Sequence, residues 1–232
     1  MGETGNPRQN VTFASNGHEA HGYLALPESG RRPGLVVIQE WWGLTSHIAD
    51  LTDRFAAEGF VALAPDLYGG ATTHDAEEAG RLMQDLPVER AAADLSGAVD
   101  FLLARDDVQG DSIGAVGFCM GGAFVLNLAV REGGKVAAAV PFYPAGAFPD
   151  DFSGLQAAVL AHFAEGDAFV PISLADELES KIKSDTGKTP EIARYPAGHA
   201  FLNDENLLGT YDADLARQAW DRTVAFLHEH LG

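Results

Sequence analysis

The sequence predicts an α/β protein: a mainly parallel sheet with helices on both faces. Two observations carry the prediction. Short apolar, β-branched runs alternate with longer amphipathic segments along most of the chain. Several of those runs are also apolar at every position. Alternation of this kind implies right-handed crossovers between parallel strands, and an unbroken apolar run is what a strand covered on both faces requires. No repeat, low-complexity segment or long linker interrupts the pattern, so residues 1–232 are expected to form a single domain.

In order, Val11–Phe13 and Gly22–Leu26 alternate in polarity and read as an opening antiparallel pair. Gly34–Ile38 is a buried strand. Ser46–Glu58 carries Ile48, Leu51 and Phe55 at helical spacing and stops at Gly59. Phe60–Ala64 is the next buried strand, ended by Pro65. His74–Ala104 reads as helix interrupted near Pro87. Ile113–Phe118 is a strand and Gly121–Arg131 a helix. Val136–Phe142, Ala157–Phe163 and Glu191–Tyr195 continue the strands, with helices over Ile172–Lys183 and Tyr211–His230. Ligands of such sheets sit beyond the carboxyl ends of the strands. Attention therefore narrows to the residues that follow Ile38, Phe118, Phe163 and Tyr195.

Composition excludes several functions. Of 232 residues 46% are hydrophobic, enough for a substantial core, and the one Cys rules out a disulfide scaffold. The 34 acidic against 15 basic residues give a net charge of −19, a field that repels phosphate backbones and anionic membranes. Neither nucleic acid nor membrane is an expected partner. No run reaches the ~18–20 apolar residues of a membrane span, and Met1–Asn10 lacks the apolar core of a signal peptide. A soluble, cytoplasmic protein is expected. Its histidines and acids show no metal-ligand spacing, and no phosphate-cradling glycine motif follows the first strands, so neither metal nor cofactor is expected.

Gly117-Phe118-Cys119-Met120-Gly121-Gly122 lies between a strand and a helix and matches the nucleophile elbow G-x-S-x-G with Cys for Ser. Flanking glycines admit the strained turn, and the helix that follows aims its positive end at the sulfur, favouring thiolate. The plainer reading of Cys119 is a small buried hydrophobe. An elbow needs an acid and then a His later in the chain. Asp167 follows the Ala157–Phe163 strand and His199 follows Glu191–Tyr195, in that order. Taken singly, Asp167 suits a turn or helix cap, and His199 an ordinary loop histidine. Together with Cys119 they make a nucleophile, base and orienting acid. His18 and His21 fall in the opening hairpin, His162 inside a buried strand, and His228 and His230 on the last helix.

After Ile38 comes Gln39-Glu40-Trp41-Trp42-Gly43. An oxyanion hole in this architecture uses the amide after the nucleophile, Met120, and one from this loop, by position Trp41. Trp42 is either a pocket wall or core packing.

Four landmarks together resemble the dienelactone hydrolase family of α/β-hydrolases over nearly the whole chain. They are Gln39-Glu40-x-x-Gly43, Gly117-x-Cys119-x-Gly121-Gly122, Gly166-Asp167-x-x-Val170-Pro171 and Gly198-His199-x-Phe201. The resemblance implies a three-layer α/β-hydrolase fold without a large lid domain, a monomer or small homo-oligomer, and a Cys–His–Asp triad acting on a small ester or lactone. It further implies that Glu40 holds the resting thiol neutral. Trp42, Tyr143 and Phe169 fall where the family lines its pocket. Where the family places a carboxylate-binding arginine, four residues after the His, this chain has Asn203. Its other arginine corresponds to a segment in which Arg81 and Arg90 are the candidates, each alternatively a solvated helix charge. The substrate is thus less defined than the chemistry. A thioesterase or broad carboxylesterase with the same triad, and a catalytically idle small-molecule binder, are the alternatives.

Overall fold

A computed structural model describes residue 6 and residues 8–232; of the polar stretch Met1–Asn10, residues 1–5 and 7 lie outside the described residues. Among the described residues, eight strands run in the sheet order β1-β2-β4-β3-β5-β6-β7-β8. The chain divides into two compact units, residues 1–113 and 114–232.

In the first unit, β1 (Val11–Ser15) and β2 (His18–Ala25) form an antiparallel hairpin. Its two-residue turn, Asn16-Gly17, has positive φ at both positions (36° and 88°), which matches the right-handed strand twist. β2 pairs antiparallel with β4 (Val61–Pro65), and β3 (Arg32–Ile38) pairs parallel with β4. Every residue of β4, and all of β3 after Arg32, is buried. Since successive side chains point to opposite faces, both faces of these strands are covered. The covering helices are α1 (Ser46–Ala57) and α3 (Val88–Leu103).

α2 (Ala76–Asp85) is separated from α3 at Leu86-Pro87, where Leu86 is extended as a residue before proline must be. α3 seats on the hairpin through Gly97, where a Cβ would lie 2.5 Å from the Ala14 carbonyl oxygen. A second tie is His18 Nε2 to Asp94 Oδ1, 2.7 Å. Arg90 stands 3.6 Å from the other oxygen of Asp94 with its head half exposed, a charge serving its own helix. Arg81 is exposed on α2.

β5 runs over Val108–Phe118, starting well before the expected Ile113. In the second unit it leads into α4 (Met120–Glu132), a short 3₁₀ turn at Gly133–Lys135 and β6 (Val136–Phe142). β7 (Ala158–Ala164) pairs parallel with β6, and β8 (Glu191–Tyr195) parallel with β7. α5 (Ser173–Thr186) ends on left-handed Gly187. α6 (Ala213–Leu231) starts at its cap, Asp212, whose carboxylate accepts from the amides of Asp214 and Leu215. The expected helix start at Tyr211 is thus two residues early. α4 and α6 pack on β6, and α6 also on β7. Among the described residues no lid domain interrupts the alternation, and no helix is long and apolar enough to cross a membrane.

Candidate active site

Cys119 occupies the turn between β5 and α4 with φ 54° and ψ −119°. A backbone this far from ordinary regions costs about 1–3 kcal/mol unless its surroundings over-determine it. They do. The Cys119 amide donates to Phe142 O (3.1 Å), and the Cys119 carbonyl accepts from Ala145 N (3.0 Å) and Gly122 N (2.9 Å). The glycines act as expected. A Cβ on Gly117 would lie 2.3 Å from Gly121 O, and one on Gly122 2.7 Å from Phe142 O. The thiol stands at the amino end of α4, where the helix dipole favours negative charge. Met120 opens that helix, in the turn whose amides point out of the amino end.

Asp167 and His199 come together because the loops after β7 and β8 are tied to each other. Glu165 N donates to Tyr195 O (2.8 Å) and Gly166 N to Ala197 O (2.9 Å). His199 Nδ1 lies 2.8 Å from Asp167 Oδ2, and both side chains are buried. An ionised carboxylate only accepts, so Nδ1 carries the proton. Nε2 is then the nitrogen available to exchange one. Asp167 Oδ1 accepts from the amides of Phe169 (2.8 Å) and Val170 (2.9 Å), which offsets burial of its charge.

Thr210, which sequence reasoning missed, donates its hydroxyl to the His199 carbonyl. Gly198 leaves it room, since a Cβ there would lie 2.6 Å from Thr210 Cγ2. The rings of Tyr143 and Phe169 each lie 5.0 Å from the His199 ring, centroid to centroid. Phe169 is 58% exposed, whereas Tyr143 is wholly buried. Asn203 is buried, and its side-chain oxygen accepts from Glu205 N (2.9 Å) within its own loop.

A second cluster lies deeper. His162, in β7, is stacked on Phe142 at 4.1 Å and bonded on both nitrogens, Nδ1 to Tyr195 Oη (2.9 Å) and Nε2 to Thr223 Oγ1 (3.0 Å). Burial, and then the charge of Arg222, push its pKa down to about 3, so it is neutral. Burial pushes the Tyr195 phenol up to about 12. The sequence placed His162 in a buried strand; its partners come from residues far along the chain and leave no local signal.

In the first unit the loop after β3 is also specified residue by residue. Gln39 and Glu40 are buried, and Gln39 Oε1 accepts from Leu67 N (3.1 Å). Trp41 is half-buried and its ring lies 4.8 Å from that of buried Trp42. Gly43 has φ 93°, and a Cβ on it would lie 2.5 Å from Ala71 O. Among the described residues no group of three or more His, Cys, Asp or Glu is placed to hold a metal ion.

A strained strand-to-helix turn, followed in order by an acid and its histidine at later strand ends, belongs to the α/β-hydrolase class. Comparison narrows the class. The model of the dienelactone hydrolase family matches residues 20–231. Protein usf of Aquifex pyrophilus is 36% identical over 96% of this chain and 99% of its own length. An Aquifex aeolicus protein provisionally named a carboxymethylenebutenolidase is 30% identical over 96% and 99%. The crystal structure of a dienelactone hydrolase-like promiscuous phosphotriesterase from metagenomic libraries is 29% identical, with a TM-score of 0.83 over 96% of this chain and 97% of that one. The chain belongs to the dienelactone hydrolase family and is a carboxylic ester hydrolase.

Proposed function

We propose that the protein cleaves a small ester or lactone through Cys119, by way of a thioester. His199 Nε2 takes the thiol proton as Sγ bonds to the substrate's carbonyl carbon, giving a tetrahedral oxyanion. The carbon–oxygen bond to the leaving group then breaks, and His199 returns its proton to the departing alkoxide or enolate. Water, deprotonated by His199, attacks the thioester; the carboxylic acid leaves and the thiol is restored. Asp167 fixes the tautomer and stabilises the imidazolium in both halves.

The observation that carries this reading is the His199–Asp167 hydrogen bond at 2.8 Å, on the same unit as a Cys held at φ 54° before a helix. The amide of Met120 receives the oxyanion. By the family resemblance the amide of Trp41 is its partner, and Glu40 keeps the resting thiol neutral, limiting oxidation. Phe169, whose exposed ring lies beside His199, is the pocket residue. The relatives' names direct the choice of substrate to butenolide-type lactones.

The test is hydrolysis of a short-chain activated aryl ester and of dienelactone by wild type and by Cys119→Ala. Turnover of both, lost in the variant, is expected. Ester turnover alone retains the mechanism and rejects the lactone. Turnover that survives the substitution rejects Cys119 as nucleophile.

A further inference from the structure

We propose that Tyr143 is a positioning residue that couples the Cys119 turn to the His199 ring; the proposal rests on the reading of these two as nucleophile and base. Tyr143 follows β6 at a corner with φ 34°, a second strained non-glycine residue beside the first. Its neighbours hold both polar backbone groups of Cys119. Phe142 O accepts from the Cys119 amide, and Ala145 N donates to the Cys119 carbonyl. The corner has no freedom to drift toward α4, because Gly122 already packs against Phe142 O and Pro144 with no space for a Cβ. From behind, the Tyr143 amide donates to His162 O at 2.7 Å, tying the corner to β7.

The side chain acts on the other partner. Asp167 fixes one nitrogen of His199 and Thr210 holds its carbonyl, which leaves the tilt of the imidazole to the rings it packs on. Phe169 is mostly exposed and offers a soft contact. Tyr143 is 0% exposed and braced by Phe201 at 5.7 Å and Phe142 at 6.0 Å. It is the rigid side. The same burial separates this role from that of a pocket wall, since a side chain with no exposed surface has none to offer a substrate. The corner at Tyr143 thus holds the thiol's turn through the flanking backbone of Phe142 and Ala145, and the imidazole's tilt through the Tyr143 ring.

The chain has one cysteine, so iodoacetamide reports on Cys119 alone. The rate of alkylation against pH gives the thiolate midpoint, independently of turnover. Wild type, Tyr143→Phe, Tyr143→Leu and His199→Gln are compared, with kcat and KM on an activated ester and urea midpoints for folding. Tyr143→Phe keeps the ring but removes a buried hydroxyl, and is expected to stay closer to wild type in midpoint and kcat than Tyr143→Leu does. Tyr143→Leu is expected to lose about 10- to 100-fold in kcat with KM little changed. Its alkylation midpoint should move the same way as that of His199→Gln.

If Tyr143→Leu does not fold, Phe201→Leu, which removes the brace, carries the same readouts. A raised KM with kcat and midpoint unchanged makes Tyr143 a substrate contact and overturns the proposal. So does a midpoint that moves in His199→Gln but not in the leucine variant. A midpoint unmoved even in His199→Gln removes the thiol–imidazole pairing and the proposal with it. Turnover surviving in Cys119→Ala rejects the nucleophile alone, and the alkylation series still decides the coupling.

Discussion

The carboxylate of Asp167 divides its work between two oxygens: Oδ2 bonds His199 Nδ1 at 2.8 Å, while Oδ1 accepts from the amides of Phe169 and Val170. Asp167→Asn sets these demands against each other. If the amide oxygen faces the two backbone donors, the new NH₂ faces Nδ1 and forces the proton onto Nε2, the wrong tautomer for a base. A loss of about a thousand- to ten-thousand-fold in kcat with little change in KM is expected, the scale known for the equivalent change in a serine protease triad. Steady-state kinetics on an activated ester measures it.

Gly117→Ala tests the elbow. The added methyl would sit 2.3 Å from Gly121 O and 2.6 Å from its carbonyl carbon, backbone atoms at the start of α4 that cannot swing aside. Overpacking of this kind costs about 1–3 kcal/mol. For a chain of this size, that lowers Tm by roughly 2–4 °C per kcal/mol. Activity should fall further than stability, because Cys119 lies inside the displaced turn. Calorimetry beside turnover separates the two.

His162 makes stability depend on pH. Its folded pKa, about 3, lies below the unfolded value near 6.5, so in between the unfolded chain binds the extra proton. Its contribution is constant above pH 6.5 and lost progressively as pH falls toward 3. From pH 7 to pH 5 the loss from this one group is about 2 kcal/mol. His162→Gln is expected to be less stable than wild type at pH 7 and to show a shallower decline on acidification. Urea midpoints at the two pH values check this; parallel slopes would remove His162 as the source.

Phe169 combines an exposed ring with a 5.0 Å approach to His199. Phe169→Ala is expected to raise KM for an aryl ester several-fold and to leave kcat within a small factor, as loss of uniform binding does. A fall in kcat with KM unchanged would instead make Phe169 part of the support of His199.

Much of this molecule is legible in the sequence where burial is complete. β3, β4, β6 and β7 announce themselves because both faces are covered and nearly every residue is apolar. The opening of β5 is hidden for the opposite reason. Gln109, Gly110, Asp111 and Ser112 are polar and poorly covered, and Gly110 has φ 80°, so the stretch reads as loop. The hairpin strands, expected at Val11–Phe13 and Gly22–Leu26, run on to the turn through Ser15 and His18. The Asn16-Gly17 pair, a turn signal in its own right, gives their true extent. Around His199 the sequence marks the histidine and the acid by their places after strands. It cannot mark Thr210, the corner at Tyr143 or the Tyr195–His162–Thr223 network, because these contacts join residues that are distant along the chain and carry no local pattern.

The bond from His162 to Thr223 spans 61 residues and ends inside α6. A nascent chain that has reached residue 212 already carries Cys119, Asp167 and His199, yet its inner histidine has no Thr223 to meet and no α6 over β6 and β7. That imidazole is then wet and free to take a proton. Synthesis adds about 5–20 residues each second. The nineteen residues of α6 therefore arrive within seconds, and Thr223 comes with them. Chains released short of that helix would hold Cys119, Asp167 and His199 without the His162–Thr223 bond.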